Sequence, residues 1–119
     1  MIKYSEIPNW KCGSAMGHSN KLTFGSVTSN PELNLLVMQG RVHLYEGYSA
    51  YEVAFYVRVF KEIGVKNIII TNACGACNPE YLPGDIMLIK DHINLMGANP
   101  LIGTPFKPMF VDMSNCYDF

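Results

Sequence analysis

Charge is scarce in this sequence. Only 16% of its residues are Asp, Glu, Lys or Arg, and nine basic against ten acidic side chains leave a formal net charge of −1. A nucleic-acid binder needs a basic stripe to neutralise phosphates. Here the two arginines, Arg41 and Arg58, stand apart from any lysine cluster, so nucleic acid is not an expected partner. Long apolar runs are lacking too. Ile68-Ile69-Ile70 and Ile86-Met87-Leu88-Ile89 fall far short of the roughly 20 residues that span a bilayer, so no membrane association is expected. The start, Met1 to Glu6, has neither the basic opening nor the apolar stretch of a secretion signal. Cysteine is also sparse: positions 12, 74, 77 and 116 are too few and too irregular for a disulfide scaffold. A soluble, cytoplasmic chain in a reducing compartment is the expectation.

What is present is apolar. A hydrophobic fraction of 49% in 119 residues excludes intrinsic disorder. It suits one small domain or a piece of a larger one. The chain has no internal repeat, low-complexity tract or charged linker, so residues 1–119 are read as one unit.

Lys21 to Val27 alternates polar and apolar residues, as a half-buried strand does. Thr28-Ser29-Asn30-Pro31-Glu32 is a turn by composition, and Leu33 to Met38 reads as a more buried strand. Ser49-Ala50-Tyr51-Glu52 has the form of a capping box, which predicts a helix over 49–63 with Gly64 at its C-terminal cap. Arg58, Lys61 and Glu62 are expected on its wet face. Asn67 to Asn72 is the strongest strand pattern, and Ile86 to Lys90 reads as another short buried strand. Strand, helix, strand predicts an α/β fold with a mainly parallel or mixed sheet and a flanking helix. One crossover helix leaves a sheet face uncovered, which suggests an incomplete fold. Residues 97–108, rich in proline and glycine, are expected to be loop.

The densest polar constellation, Gly40-Arg41-Val42-His43-Leu44-Tyr45-Glu46-Gly47, follows directly after a buried strand. Ligands of open α/β sheets bind beyond the carboxyl ends of strands. Arg41 can grip a phosphate with a planar fork of donors, and His43 can add another. In an extended chain, residues 41, 43 and 45 share one face. Glu46 could orient the histidine or hold its proton. On pattern alone the segment reads equally as an anion site or as a solvated loop whose Tyr45 covers the core edge. Thr71-Asn72-Ala73-Cys74-Gly75 is small enough for backbone amides to approach an anion, and reads equally as a tight strand exit. His18, flanked by glycine and serine, reads on its own as a surface residue. His92, at another strand end, is ambiguous in the same way.

Together these segments carry a resemblance. Val37-Met38-Gln39-Gly40-Arg41-Val42-His43-Leu44-Tyr45-Glu46-Gly47-Tyr48 resembles the signature of trimeric-type purine nucleoside phosphorylases. The match continues in order through Tyr4 to Asn9, Gly17-His18, Val57 to Phe60, Ile63 to Val65 and Thr71 to Gly75. It extends over Asn78-Pro79, Pro83 to Met87, Asp91 to Leu95, Asn99 to Gly103 and Asp112 to Ser114. The resemblance implies phosphorolysis of purine nucleosides to free base and (deoxy)ribose 1-phosphate. Inorganic phosphate is then the co-substrate, with no cofactor and no metal. His18, Arg41, His43 and the Ala73 amide match phosphate contacts of the family. His43, Tyr45 and Asn72 match the ribose and nucleoside side, and Glu46 matches a partner of the histidine. A homotrimer is implied as well.

The chain departs from the family pattern. The first strand with its phosphate-binding serine loop, and the C-terminal half that holds the purine, have no counterpart here, so residues 1–119 resemble a partial domain. Ser19-Asn20 stands where the family has a small residue and glycine, Ala76 replaces a usual glycine, and the loop after Gly103 is shortened. Thr71 to Gly75 leans toward the sister methylthioadenosine phosphorylases, but the Arg41–Tyr48 run favours the purine nucleoside group. A chain of this extent is expected to be inactive alone, which leaves a non-catalytic remnant or a partner-binding fragment as the alternative. A thiol redox domain built on Cys74-Gly75-Ala76-Cys77 is the rival from another class. It needs a helix starting at the first cysteine, and Asn78-Pro79 and Pro83-Gly84 oppose one.

Overall fold

Polar–apolar alternation from Lys21 to Val27 (β2) pairs antiparallel with Asn30–Gln39 (β3), in a register running from Lys21 opposite Gln39 to Ser26 opposite Asn34. These assignments come from a computed structural model describing residues 1–105, 107–108 and 110–117. A two-residue strand, Ile2–Lys3 (β1), pairs antiparallel on the other side of β2, giving the order β1-β2-β3. The turn residues expected over 28–32 are only partly turn, because β3 starts at Asn30. Pro31 is tolerated there because β3 is an edge strand and the register slips between Ser26 and Val27.

The edge position also changes what β3 buries. Its apolar run predicts cover on both faces. Instead Leu36 and Met38 pack on the core while Leu33, Leu35 and Val37 face outward. A strand of an antiparallel sheet with one packed face does this by pleat alone.

Tyr4 is fully buried and forms the core with Trp10 and Phe60. The Trp10 ring lies 5.2 Å from Tyr4, 6.0 Å from Phe60 and 6.2 Å from Phe55, in tilted and edge-on contacts. Such aromatic geometries add stability beyond the area they bury.

The helix begins as its capping box predicts. Ser49 Oγ accepts the Glu52 amide at 3.3 Å, and Glu52 Oε2 accepts the Ser49 amide at 2.9 Å. It runs as Ala50–Val53 (α1) and Phe55–Glu62 (α2), divided at Ala54. Phe55, Tyr56, Val59 and Phe60 turn toward the core. Gly64, at φ 86°, ends the helix in a Schellman arrangement. Its amide donates to Lys61 O, the Val65 amide donates to Phe60 O, and Val65 packs on the core. Lys61 and Glu62 face water as expected, but Arg58 does not. Its guanidinium stacks over the Tyr51 ring at 4.1 Å and donates to Pro100 O at 3.0 Å.

From Lys66 onward the described residues hold turns and extended chain without helix or strand. The expected strand at 67–72 finds no partner, and Ile69 is 90% exposed. Ile86 to Lys90 is likewise unpaired, with Ile86 and Leu88 exposed. The sheet among the described residues is therefore antiparallel throughout, and the parallel pairing expected across the helix is not formed. A parallel strand is held by neighbours on its edges and covers on both faces, and among the described residues no strand pairs with 67–72. The radius of gyration, 16.1 Å, exceeds the roughly 13–14 Å of a compact domain of this length. The chain is an α/β unit of one small sheet and two short helices, followed by loosely packed chain.

Candidate functional site

The chain leaves β3 at Gln39 and enters Gly40, at φ 107°, whose carbonyl accepts a 2.7 Å hydrogen bond from the buried Tyr4 hydroxyl. Burial pushes the Tyr4 phenol up to about 12, so it stays protonated and donating at neutral pH. A Cβ on Gly40 would lie 2.7 Å from Cβ and Cγ of His18, so glycine is what lets the two segments touch.

Val42 is buried, and the chain then turns through a short 3-10 helix at Leu44–Glu46 closed by Gly47 at φ 89°. The chain is extended at His43 but not through to Tyr45, so the shared face that an extended 41–45 run would give does not arise that way. The turn still sets His43 and Tyr45 on one side, their rings stacked at 4.8 Å and 15°. The His18 ring stacks on His43 at 5.5 Å and 20°. Tyr45 lies outermost and is 76% exposed.

Hydrogen bonds fix the tautomers of the two histidines. The Arg41 amide donates to His18 Nδ1 at 3.3 Å, so neutral His18 carries its proton on Nε2. His43 Nδ1 lies 2.9 Å from Glu46 Oε1, a carboxylate that only accepts, so Nδ1 holds the proton. With Nδ1 engaged by Glu46, Nε2 is the ring nitrogen of His43 that remains for another partner.

Glu46 is the hub. Its side chain is only 5% exposed, and its two oxygens serve different segments. Oε1 accepts from the His43 ring and the His43 amide, and Oε2 accepts from the amide and hydroxyl of Ser14 at 2.6 and 2.8 Å. The Ser14 amide first, then the His43 ring and the Ser14 hydroxyl, hold its carboxyl down to about 2. It is ionised at any working pH.

Arg41 points another way. Its Nη1 donates to Thr71 O at 2.9 Å, tying the 71–73 segment to the exit of β3. Among the described residues that is its only guanidinium hydrogen bond. The cavity beside it, lined by Trp10, Met38, Val42, Phe55 and Tyr56, has a volume of about 10 Å³, room for one water.

The structure thus brings His18, His43, Tyr45 and Glu46 into one group. It places Arg41 at that group's edge through its amide, and leaves Asn72 and Ala73 exposed just beyond the anchored Thr71. His92 is elsewhere, bonded to the Tyr117 hydroxyl. Cys74 and Cys77 are free and exposed on chain without a helix, so the arrangement a redox dithiol needs is not present. Sequence reasoning overlooked Tyr4, Ser14 and Asn20, which hold the loops in place. The one available signal was Asn20 at a usual glycine. Asparagine is among the few residues that tolerate positive φ, and Asn20 has φ 52°.

A chain named purine nucleoside phosphorylase 1 from Bacillus subtilis (strain 168) is 46% identical over 120 residues, covering 98% of this chain and 43% of the relative. Its counterpart from Geobacillus stearothermophilus is 47% identical over 119 residues, covering 98% and 42%. The purine nucleoside phosphorylase of Bos taurus is 46% identical over 121 residues, covering 97% and 41%. The chain thus spans less than half the length of these curated relatives. A family profile described as Phosphorylase superfamily matches residues 2–119. The chain belongs to the phosphorylase superfamily.

Proposed function

We propose that this chain carries the phosphate- and ribose-contacting part of a purine nucleoside phosphorylase. The reaction is attack of a phosphate oxygen on the anomeric carbon of a purine nucleoside. The N-glycosidic bond breaks, its electron pair leaves with the base, and the base takes up a proton. Free purine and (deoxy)ribose 1-phosphate result. Supporting this is the His18–His43–Tyr45 stack seated on ionised Glu46, with the Arg41 amide bonded to His18. Arg41, His18, His43 and the Ala73 amide are assigned to phosphate. His43, Tyr45 and Asn72 are assigned to ribose, with Glu46 orienting His43. Phosphate so held is both nucleophile and counter-charge to an oxocarbenium-like sugar. No metal or organic cofactor enters the step. A cytoplasmic homotrimer is the assembled form we propose, in keeping with the family resemblance. No helix among the described residues is long and apolar enough to cross a membrane.

The unpaired apolar segments 67–72 and 86–90 take strand form, in our reading, within a fuller phosphorylase fold whose sheet is mainly parallel or mixed. The 119 residues alone are then a phosphate half-site without donors for the departing base, and inactive. Losing a single transition-state donor costs about a hundredfold or more. Two measurements test this. Arg41→Ala should weaken binding of inorganic phosphate far more than Lys61→Ala, and equal effects refute the site. Inosine or guanosine with phosphate should yield no free base with this chain alone. Turnover near ~10 s⁻¹, an ordinary enzyme rate, refutes the claim of inactivity.

A further inference from the structure

We propose that Asn20 and Ser14 are positioning residues that clamp the 13–20 loop across the Gly40–Glu46 segment and so hold His18 stacked on His43. The inference rests on the phosphate-site reading above and assigns roles to two residues outside it.

The backbone of Asn20 is a fixed post. Its amide donates to Gln39 O at 2.9 Å, and its carbonyl accepts the Tyr4 amide at 2.8 Å, so it is locked to the chain of both edge strands at one end of the sheet. From that post its side chain reaches back across seven residues and holds Gly13 on both sides. Oδ1 accepts the Gly13 amide at 2.9 Å, and Nδ2 donates to Gly13 O at 2.8 Å. Gly13 in turn presses on the site. A Cβ there would stand 2.7 Å from Arg41 O and 3.2 Å from His18 Nδ1. The next residue, Ser14, is the loop's second anchor, giving both its amide and its hydroxyl to Glu46 Oε2.

The loop is therefore pinned at Asn20 and Gly13 by one side chain and at Ser14 by Glu46. His18 rides between these pins. Its amide bonds Ala15 O, and its ring is caught between Gly40 and the stack on His43. The same carboxylate that orients His43 thus orients the loop carrying His18, and one rigid frame sets both imidazoles. Asparagine suits the post because it accepts φ 52° with little strain while supplying the amide that a glycine lacks.

The test uses the 119-residue chain with inorganic phosphate as probe. Asn20→Gly keeps the backbone angle accessible and deletes both clamp bonds. Ser14→Ala deletes one of two tethers, and Ser14→Thr restores it. Each deletion should raise the phosphate Kd about three- to tenfold, part of the lost hydrogen bonding being passed on to the ligand, and should abolish the nuclear Overhauser contact between the His18 and His43 rings. Ser14→Thr should recover both readouts. Should Asn20→Gly fail to fold, Ser14→Ala and its rescue decide alone. The inference is overturned if Arg41→Ala weakens phosphate binding while both deletions leave Kd and ring contact unchanged, or if Ser14→Thr does not rescue. If Arg41→Ala has no effect, or the unaltered chain binds no phosphate, the site reading falls. The ring contact, measured without phosphate, still decides the clamp.

Discussion

Gly40, Gly13 and Gly47 separate two reasons for glycine around the site. Gly47 sits at φ 89° with nothing within 4 Å of where an alanine methyl would stand, so alanine there is strained by its dihedral alone. Gly13 has no positive φ, yet a Cβ would meet Arg41 O at 2.7 Å, a backbone atom that cannot swing aside. Gly40 combines both, at φ 107° with His18 Cβ and Cγ at 2.7 Å and its Cα at 3.1 Å. The dihedral cost is about 1–2 kcal/mol, offset by roughly 0.4–1 kcal/mol from the stiffer unfolded chain. Forced contacts of this kind cost about 1–3 kcal/mol. Gly47→Ala should therefore lose up to about 1.5 kcal/mol, Gly13→Ala up to about 2.5 kcal/mol, and Gly40→Ala roughly 1–4.5 kcal/mol. Urea unfolding followed by the fluorescence of the buried Trp10 reads these differences. Gly40→Ala should also displace His18, whereas Gly47→Ala should leave phosphate binding intact. A Gly40→Ala chain no less stable than Gly47→Ala, with His18 still stacked on His43, refutes the close approach on which the site is built.

Three further outcomes are expected. Glu46 is depressed to about 2 by the Ser14 amide and the His43 ring, so its contribution to stability is present in full above the ordinary carboxylate value of 4.5 and is lost as pH falls toward 2. Glu46→Gln should flatten the fall of the urea midpoint across that window, leaving the smaller acid sensitivity of Glu52, which the Ser49 amide and hydroxyl also hold down; an unchanged slope contradicts the hub. Ser49→Ala removes the oxygen that caps the Glu52 amide and should cost about 1 kcal/mol in the same unfolding assay, while Ser49→Thr, which keeps the hydroxyl that also donates to the Glu52 carboxylate, should restore it. Cys74 and Cys77 have no third or fourth ligand at metal spacing, so elemental analysis of the purified chain should find no stoichiometric zinc.

What was legible in the sequence was local. The capping box at Ser49-Ala50-Tyr51-Glu52 and the glycine stop at Gly64 mark a helix because each cap is satisfied within four residues, and both stand as expected. The strand over Lys21–Val27 forms too, although its burial does not alternate: Leu22 packs on the core while Phe24 is exposed. The strand at 67–72 is different in kind. Its Ile-rich composition states a preference for burial, but a strand exists only once another backbone accepts its hydrogen bonds, and no stretch of sequence carries that information about itself. Among the described residues nothing does so, and Ile69 stays in water.

The site divides along the same line. Arg41, His43, Tyr45 and Glu46 lie within six residues, so their chemistry is readable as a motif, and the bond between His43 and Glu46 at spacing i, i+3 closes within one turn. The frame that aims them is not readable. Tyr4 reaches Gly40 across 36 residues, Ser14 reaches Glu46 across 32, and Arg41 reaches Thr71 across 30. Each of those bonds depends on loops being brought together by the Tyr4–Trp10–Phe60 core, whose aromatic members look in sequence like ordinary core residues. Lone His18 reads as a surface residue for that reason. Only the fold shows that Gly40, by lacking a side chain, makes room for its ring. A motif thus names the chemistry of this site, while the residues that make it a site are small or inconspicuous in sequence, and they act by where the chain puts them.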